Sequence, residues 1–323
     1  MEDTTTVRRH DTPGEFVAAV ADWLTGDPVG TNVLATVAHG RALGMTPRAD
    51  GEFWLTVHDT TGVTGAALQS GRGLLLPRLP DSAVDALARE LAAWRPGLSS
   101  VNGPRPAVER FVARWRERTG RAAEVTGRTG LLAMAEPSVP DDVPGGMRTG
   151  TADDADTVVG WTRAFAESVH DGERIGLRQA ADAFHRMRAA GVVYRLWQVE
   201  GIPVSMMYES LPVNGVVRIQ NVYTPPARRG NGYAAALVGT AARDLTATPG
   251  LTACVLYVDR ANPTAAGIYR RVGFRPYLDA VAYRFTGLPV PAGSTPMWRV
   301  RRSSCGATTG SAGSGWYAGS EWG

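Results

Sequence analysis

Apolar side chains recur at every fourth position through Phe16, Val20 and Leu24, so residues 13–43 read as helical, broken by Gly26, Asp27, Pro28 and Gly30. The period then falls to two. Phe53, Leu55 and Val57 alternate with Trp54 and Thr56, a turn follows at 61–63, and the apolar runs 63–70 and 74–79 supply further strands of a meander. Helical spacing returns from Asp81 through Val84, Leu87, Leu91 and Trp94. A short strand at 99–101, a helix over 107–119 and a strand near 129–134 complete this half, the last strand being expected to close its sheet. Residues 135–146 hold three prolines and two glycines and read as a linker.

The same order of elements is then repeated. Residues 147–149 read as a strand, and Thr151 with Asp154 forms a capping-box pattern that opens a helix to about 169. A helix over 177–190 precedes three strands, 192–200, 202–210 and 216–224, joined by Gly201 and by the turn at 212–215. A glycine-bearing loop, a helix over 232–245, a strand over 251–259, a helix over 263–271 and strands over 275–285 follow. The pattern predicts an α/β chain of two similar halves, each a mixed, largely antiparallel sheet flanked by helices. Boundaries are set at 1–135, 136–146 for the linker, 147–287, and 288–323 for a Gly/Ser-rich tail expected to be disordered.

Composition narrows the chemistry. Of the 323 residues 44% are apolar and 20% charged, enough to fill two cores and too ordinary for a fibrous or wholly disordered chain. All 34 basic residues are arginine, which excludes a lysine Schiff base. Net charge is +3, and residues 146–323 hold 19 of the arginines against 13 of the 31 acids, so an anionic ligand is expected in that half. The excess is too small for a nucleic-acid surface. No apolar run reaches the roughly 18 residues of a membrane span, and the first 16 residues lack a signal-peptide core. Cys254 and Cys305 fit neither a disulfide framework nor a zinc site, so a reducing cytoplasm is the expected compartment. His10, His39, His58 and His185 are scattered without ligand spacing, and no metal is expected.

The informative stretch is 221–245, where a strand ends at Thr224, Pro225 and Pro226 stop it, and a loop with Arg228, Arg229, Gly230, Asn231 and Gly232 leads into a helix. Unpaired N–H groups of a first helical turn, the helix dipole and glycines that admit close backbone approach together suit a phosphate. Gly230, Gly232 and Ala235 also fit a dinucleotide fingerprint. That reading fails because five residues separate the strand from its first glycine and the preceding strands form hairpins.

Arg229, Gly230, Asn231, Gly232, Tyr233 and Ala234 spell RxxGxA, which resembles the pyrophosphate loop of the GNAT superfamily of acetyl-CoA-dependent N-acetyltransferases. Asn262, Pro263, Ala265, Tyr269, Gly273 and Phe274 resemble that superfamily's next segment, in the expected order. The resemblance spans roughly 147–285 and implies a sheet splayed at the acetyl-CoA site. It implies that Val222, Tyr223 and Thr224 run beside the pantetheine arm, that amides from Arg229 to Ala234 hold the pyrophosphate, and that Asn262 lies near the pantetheine. Arg260 or Arg271 would reach a terminal phosphate. The implied reaction is direct attack of a small-molecule amine in a ternary complex, with the Val222 N–H stabilising the oxyanion and Tyr269 protonating the leaving thiolate.

A base is harder to find, because Gln220 and Asn221 stand where many relatives place a glutamate. Glu209 on the neighbouring strand is the first substitute, followed by Glu167 and His170, with water as the alternative for a weakly basic amine. The N-terminal half has no basic glycine-rich loop; its nearest junction is taken as 100–111, and the half reads as a degenerate repeat. Two other functions stay open at this point: a catalytically silent acyl-CoA-binding sensor, and transfer to protein N-termini.

Overall fold

The computed structural model describes residues 5–71, 73–169 and 175–287. The expected tail at 288–323 and His170 lie outside the described residues. The first half runs β1 (Thr6–His10), α1 (Pro13–Leu24), α2 (Asn32–Ala42), β2 (Phe53–Asp59), β3 (Gly62–Ser70), β4 (Gly73–Leu75), α3 (Asp81–Trp94), β5 (Ser100–Pro104), α4 (Arg105–Thr119) and β6 (Ala122–Met134). The second repeats it as β7 (Gly146–Thr149), α5 (Ala155–Val169), α6 (Leu177–Ala189), β8 (Val193–Val199), β9 (Ile202–Glu209), β10 (Val216–Tyr223), α7 (Tyr233–Thr246), β11 (Ala253–Asp259), α8 (Pro263–Arg271) and β12 (Phe274–Thr286).

Local chemistry explains most element boundaries. Thr12 accepts the Glu15 N–H at 3.1 Å to start α1. Asp154 accepts the Thr151 N–H at 2.7 Å within a full capping box ahead of α5. Strand β2 is buried on both faces, Leu55 and Val57 beneath α3 and α4 and Trp54 beneath α1 and α2. Its alternation therefore sorts residues between two helical layers, not between core and water.

All the strands form one twelve-stranded sheet in the order β1-β2-β3-β4-β5-β12-β6-β11-β10-β9-β8-β7. Matching each N-terminal strand to its counterpart in the second half, the order reads the same from either end. A pseudo-twofold relation between the halves therefore passes between β12 and β6, and the architecture is tandem. Among the described residues only β4 with β5 and β10 with β11 pair in parallel.

One expectation is corrected here. Strand β6 does not close its own half: it pairs with β11, Leu131 opposite Tyr257, while β12 crosses back to β5, Val281 opposite Gly103. The two exchanged strands also pair with each other from Phe274↔Met134 to Thr286↔Ala122. Sequence periodicity identifies a strand but carries no information on which edge receives it, because pairing is non-local.

The proline-rich 136–146 segment is held along the second half. Ser138 N–H donates to Val272 O at 3.0 Å, and Trp197 Nε1 donates to Pro144 O at 2.9 Å. Gly273, at φ 108°, lets this strap pass: a Cβ there would stand 1.8 Å from Glu136 O. No helix among the described residues is long and apolar enough to cross a membrane.

Candidate active site

Strands β10 and β11 pair only from Val216↔Ala253 to Arg218↔Val255. Beyond that point β11 turns to β6, and the edge of β10 from Ile219 to Tyr223 has no ladder partner on that side among the described residues. The strand also bulges: its register against β9 slips between Gln220 and Tyr223, and Asn221 adopts φ 55°, a left-handed conformation that asparagine tolerates better than most residues. Asn221 is buried, and its Nδ2 donates to Thr162 Oγ1 of α5 at 3.1 Å. The result is a splayed gap between β10 and β11, bordered by the stretch of β10 around Val222.

Thr224 ends the strand, with its hydroxyl 2.9 Å from that of fully buried Ser205. A turn over Pro226–Arg228 follows, and residues 226–232 are exposed. Asn231 Nδ2 donates to the carbonyls of Arg228 and Arg229 at 3.1 and 3.2 Å, folding the loop on itself. Gly230 at φ 85° and Gly232 at φ 79° supply the left-handed residues that aim the chain into α7. Among the described residues no acceptor is found for the N–H groups of Gly230 to Ala235, which form a collar at the positive end of α7. Arg229 N–H is not free, since it donates to Pro226 O at 3.3 Å, and Arg229 Nε donates to Thr224 O at 3.0 Å. Both contacts still fix a guanidinium beside the collar. Tyr233 is buried under the loop and Ala234 half-buried.

Asn262 caps α8, its Oδ1 accepting the Ala265 N–H at 2.9 Å, while the residue remains exposed. Two turns further, Tyr269 is 9% exposed, meets Phe274 edge-on and belongs to the cluster beneath α7, against which Val222 and Ile268 also pack. Burial pushes its phenol up to about 12, so it stays protonated at neutral pH. Val222 and Tyr269 thus belong to one apolar cluster with α7, the helix that the loop opens. Arg260 pairs with Asp279 across β12, and Arg271 is exposed.

Glu209 lies on the other side of this arrangement from Gln220. It is paired with Ile219, whose side chain belongs to the α7 cluster, whereas Gln220 is paired with Tyr208, which packs beneath α5 and α6. Residues opposite one another across a ladder share a face, so Glu209 and Gln220 project to opposite faces. Arg195 takes both Glu209 oxygens, at 2.8 and 3.2 Å. Glu167 is exposed on α5.

The counterpart of this site in the first half is closed. It is the junction after β4, residues 76–80, not the 100–111 junction expected from sequence, which corresponds to the start of α8. Leu76 N–H bonds Asn102 O at 2.9 Å, so β4 and β5 do not splay, and a Cβ at Gly103 would lie 2.0 Å from Leu76 O. Proline occupies the N-cap of α3, and Asp81 puts a carboxylate in its first turn, paired to Arg110 at 2.8 Å. A negative charge at that helix end opposes anion binding.

Sequence reasoning missed the wall opposite the gap. A cavity of about 150 Å³ lies on the α6 face of the sheet, bounded by Tyr208, Arg218 and Gln220 from the second half and by Thr36 and His39 of α2 from the first. The sequence signal for it was Arg218, the one charged residue of β10.

Residues 144–274 match the profile of the Acetyltransferase (GNAT) family. Mycothiol acetyltransferase of Salinispora tropica is 27% identical over 249 residues, 71% of this chain and 76% of that protein. An acetyltransferase of the GNAT family from Colwellia psychrerythraea superposes with TM-score 0.56 at 10% identity, covering 87% of this chain and 100% of its own. A tandem GNAT protein from the clavulanic acid biosynthesis pathway gives 0.54 at 10% identity, covering 90% of this chain and 99% of that one. Likeness at such identity speaks to the fold, and the second structure fits the tandem arrangement.

Proposed function

We propose that residues 144–274, which match the profile of the Acetyltransferase (GNAT) family, are an acetyltransferase domain, and that the chain transfers an acetyl group from acetyl-CoA to the primary amine of a small molecule by direct attack. The observation that carries this reading is the collar of free N–H groups from Gly230 to Ala235, set beside two arginines at the mouth of a splayed strand pair. The donor set suits a diphosphate: oriented backbone amides, a helix N-terminus and fixed guanidinium charge. The relative from Salinispora tropica is named for a small molecule, which supports a small acceptor.

Acetyl-CoA supplies an acyl group activated as a thioester when bound. Gly230 to Ala234 hold its diphosphate, Arg229 adds charge, and Val222, Tyr223, Thr224 and Asn262 border the pantetheine path. The Val222 N–H, on the unpaired edge of β10, donates to the carbonyl oxygen as negative charge develops, a contribution of roughly 3 kcal/mol for one such donor. The amine nitrogen forms the C–N bond while the C–S bond breaks. The amine reacts as its free base. Tyr269 gives its proton to the departing sulfur, the proton released by the attacking nitrogen passes to water, and the phenolate, a strong base at about 12, takes a proton back from that water. Water is the acceptor chosen because both oxygens of Glu209 are engaged by Arg195 and that carboxylate faces away from Gln220.

Purified full-length chain, incubated with acetyl-CoA and a panel of small amines, tests this reading by release of free thiol. Release should require an amine and should fall about 100-fold or more in Tyr269→Phe, with coenzyme A binding by calorimetry retained. Absence of coenzyme A binding, or equal release by Tyr269→Phe, would refute it.

A further inference from the structure

The cavity on the α6 face holds a cation without a counter-charge. Arg218 is half-buried in its wall, and Nη1 donates to the neutral amide oxygen of Asn32 at 3.3 Å. Nε is buried with no acceptor, and no carboxylate among the described residues pairs with this guanidinium. Arg41, Arg148 and Arg195 are each matched by a carboxylate, from Glu52, Asp154 and Glu209, and buried Arg121 is held by the main-chain carbonyls of Pro96, Leu98, Phe285 and Gly287. Arg186 shares an Nε without an acceptor, but it does not line the cavity. Withdrawing a guanidinium from water without an anion is unfavourable, so a built site with this feature calls for an anionic group from outside the chain.

Position says what else that molecule must carry. Arg218 and Gln220 are two residues apart on one face of β10, about 7 Å along the strand, and Gln220 opens the bulge that borders the splayed gap. The remaining wall is largely apolar and includes Met45, Met187 and Leu211, and the cavity reaches the surface at Leu43, which is 67% exposed. From this geometry we infer that the cavity is the acceptor site and that the acceptor is an amino carboxylate with an apolar body. Its carboxylate is held by Arg218 and its amine is directed past Gln220 to the gap. The planar fork of arginine matches a carboxylate side-on. The first half, closed to a cofactor of its own, supplies α2 as the outer wall through Thr36 and His39. This rests on the acyl-transfer reading for the role of the site, though not for the binding itself.

The test is binding of matched ligands to the full chain by calorimetry: L-phenylalanine against phenylalaninamide and phenethylamine, and L-leucine against isopentylamine. The carboxylate-bearing member of each set should bind roughly 10- to 100-fold more tightly, as expected for hydrogen bonds to a charged group. Arg218→Gln should abolish the preference, and Thr36→Trp should block all members by filling the cavity. Both variants should bind coenzyme A as the wild type does, which also reports that they are folded. Equal binding with and without the carboxylate, or a preference that survives in Arg218→Gln, overturns the inference. Loss of coenzyme A binding in the wild type would instead sink the acyl-transfer reading, and the ligand sets would still decide this one.

Discussion

Arg195 holds Glu209 side-on, Nε to Oε1 at 2.8 Å and Nη2 to Oε2 at 3.2 Å, with the carboxylate side chain only 6% exposed. Breaking a pair this buried leaves a guanidinium without its partner. Glu209→Gln, which keeps one acceptor oxygen but loses the charge, should therefore cost about 1.5–3 kcal/mol of stability, read as a lower denaturation midpoint. Turnover below the unfolding temperature should stay near wild type and keep its pH profile. A large loss of kcat with unchanged stability would make Glu209 the base.

Two glycines of the collar loop should respond differently to alanine. Both sit at positive φ, 85° for Gly230 and 79° for Gly232, so each substitution carries a left-handed penalty of roughly 1 kcal/mol. A Cβ at Gly230 meets open space, whereas one at Gly232 would lie 2.9 Å from Val143 Cγ2. Gly232→Ala should consequently weaken coenzyme A binding and lower the melting temperature more than Gly230→Ala does. Equal effects would show that the strap residue Val143 yields freely.

Burial pushes the phenols of Tyr257 and Tyr269 from about 10 to about 12. With folded values above unfolded ones, the stability they contribute is whole below pH 10 and is lost as pH rises from 10 towards 12. Urea unfolding between pH 9 and 11.5 should show this decline, and Tyr269→Phe should make it shallower. A slope identical in the variant would mean that Tyr269 is ordinary in its titration.

Because β6 and β12 are exchanged, neither half can complete its sheet alone. Residues 144–287 expressed without the first half would leave the β6-facing edges of β11 and β12 unpaired, a template for aggregation. This fragment should be aggregated by size-exclusion chromatography, and co-expression with residues 1–143 should recover a one-to-one complex. A monomeric, cooperatively folding 144–287 fragment would contradict the role given to β6.

The amino-acid sequence by itself determined the order of elements and the glycine-bearing loop that opens α7. Both are local: hydrophobic period, the capping box at Thr151 and Asp154, prolines that end β10, and glycines that turn the chain into α7 each act within a few residues. What only the tertiary structure decided was non-local. Leu131 sits opposite Tyr257, and not in its own half, because strand edges are chosen by sheet-wide packing that no short window encodes. Gln220 and Glu209 were legible as polar residues on neighbouring strands, but the pairing register sent them to opposite faces. Arg218 gained meaning only when α2, nearly two hundred residues earlier, closed over it, since an uncompensated charge is defined by everything that surrounds it in space.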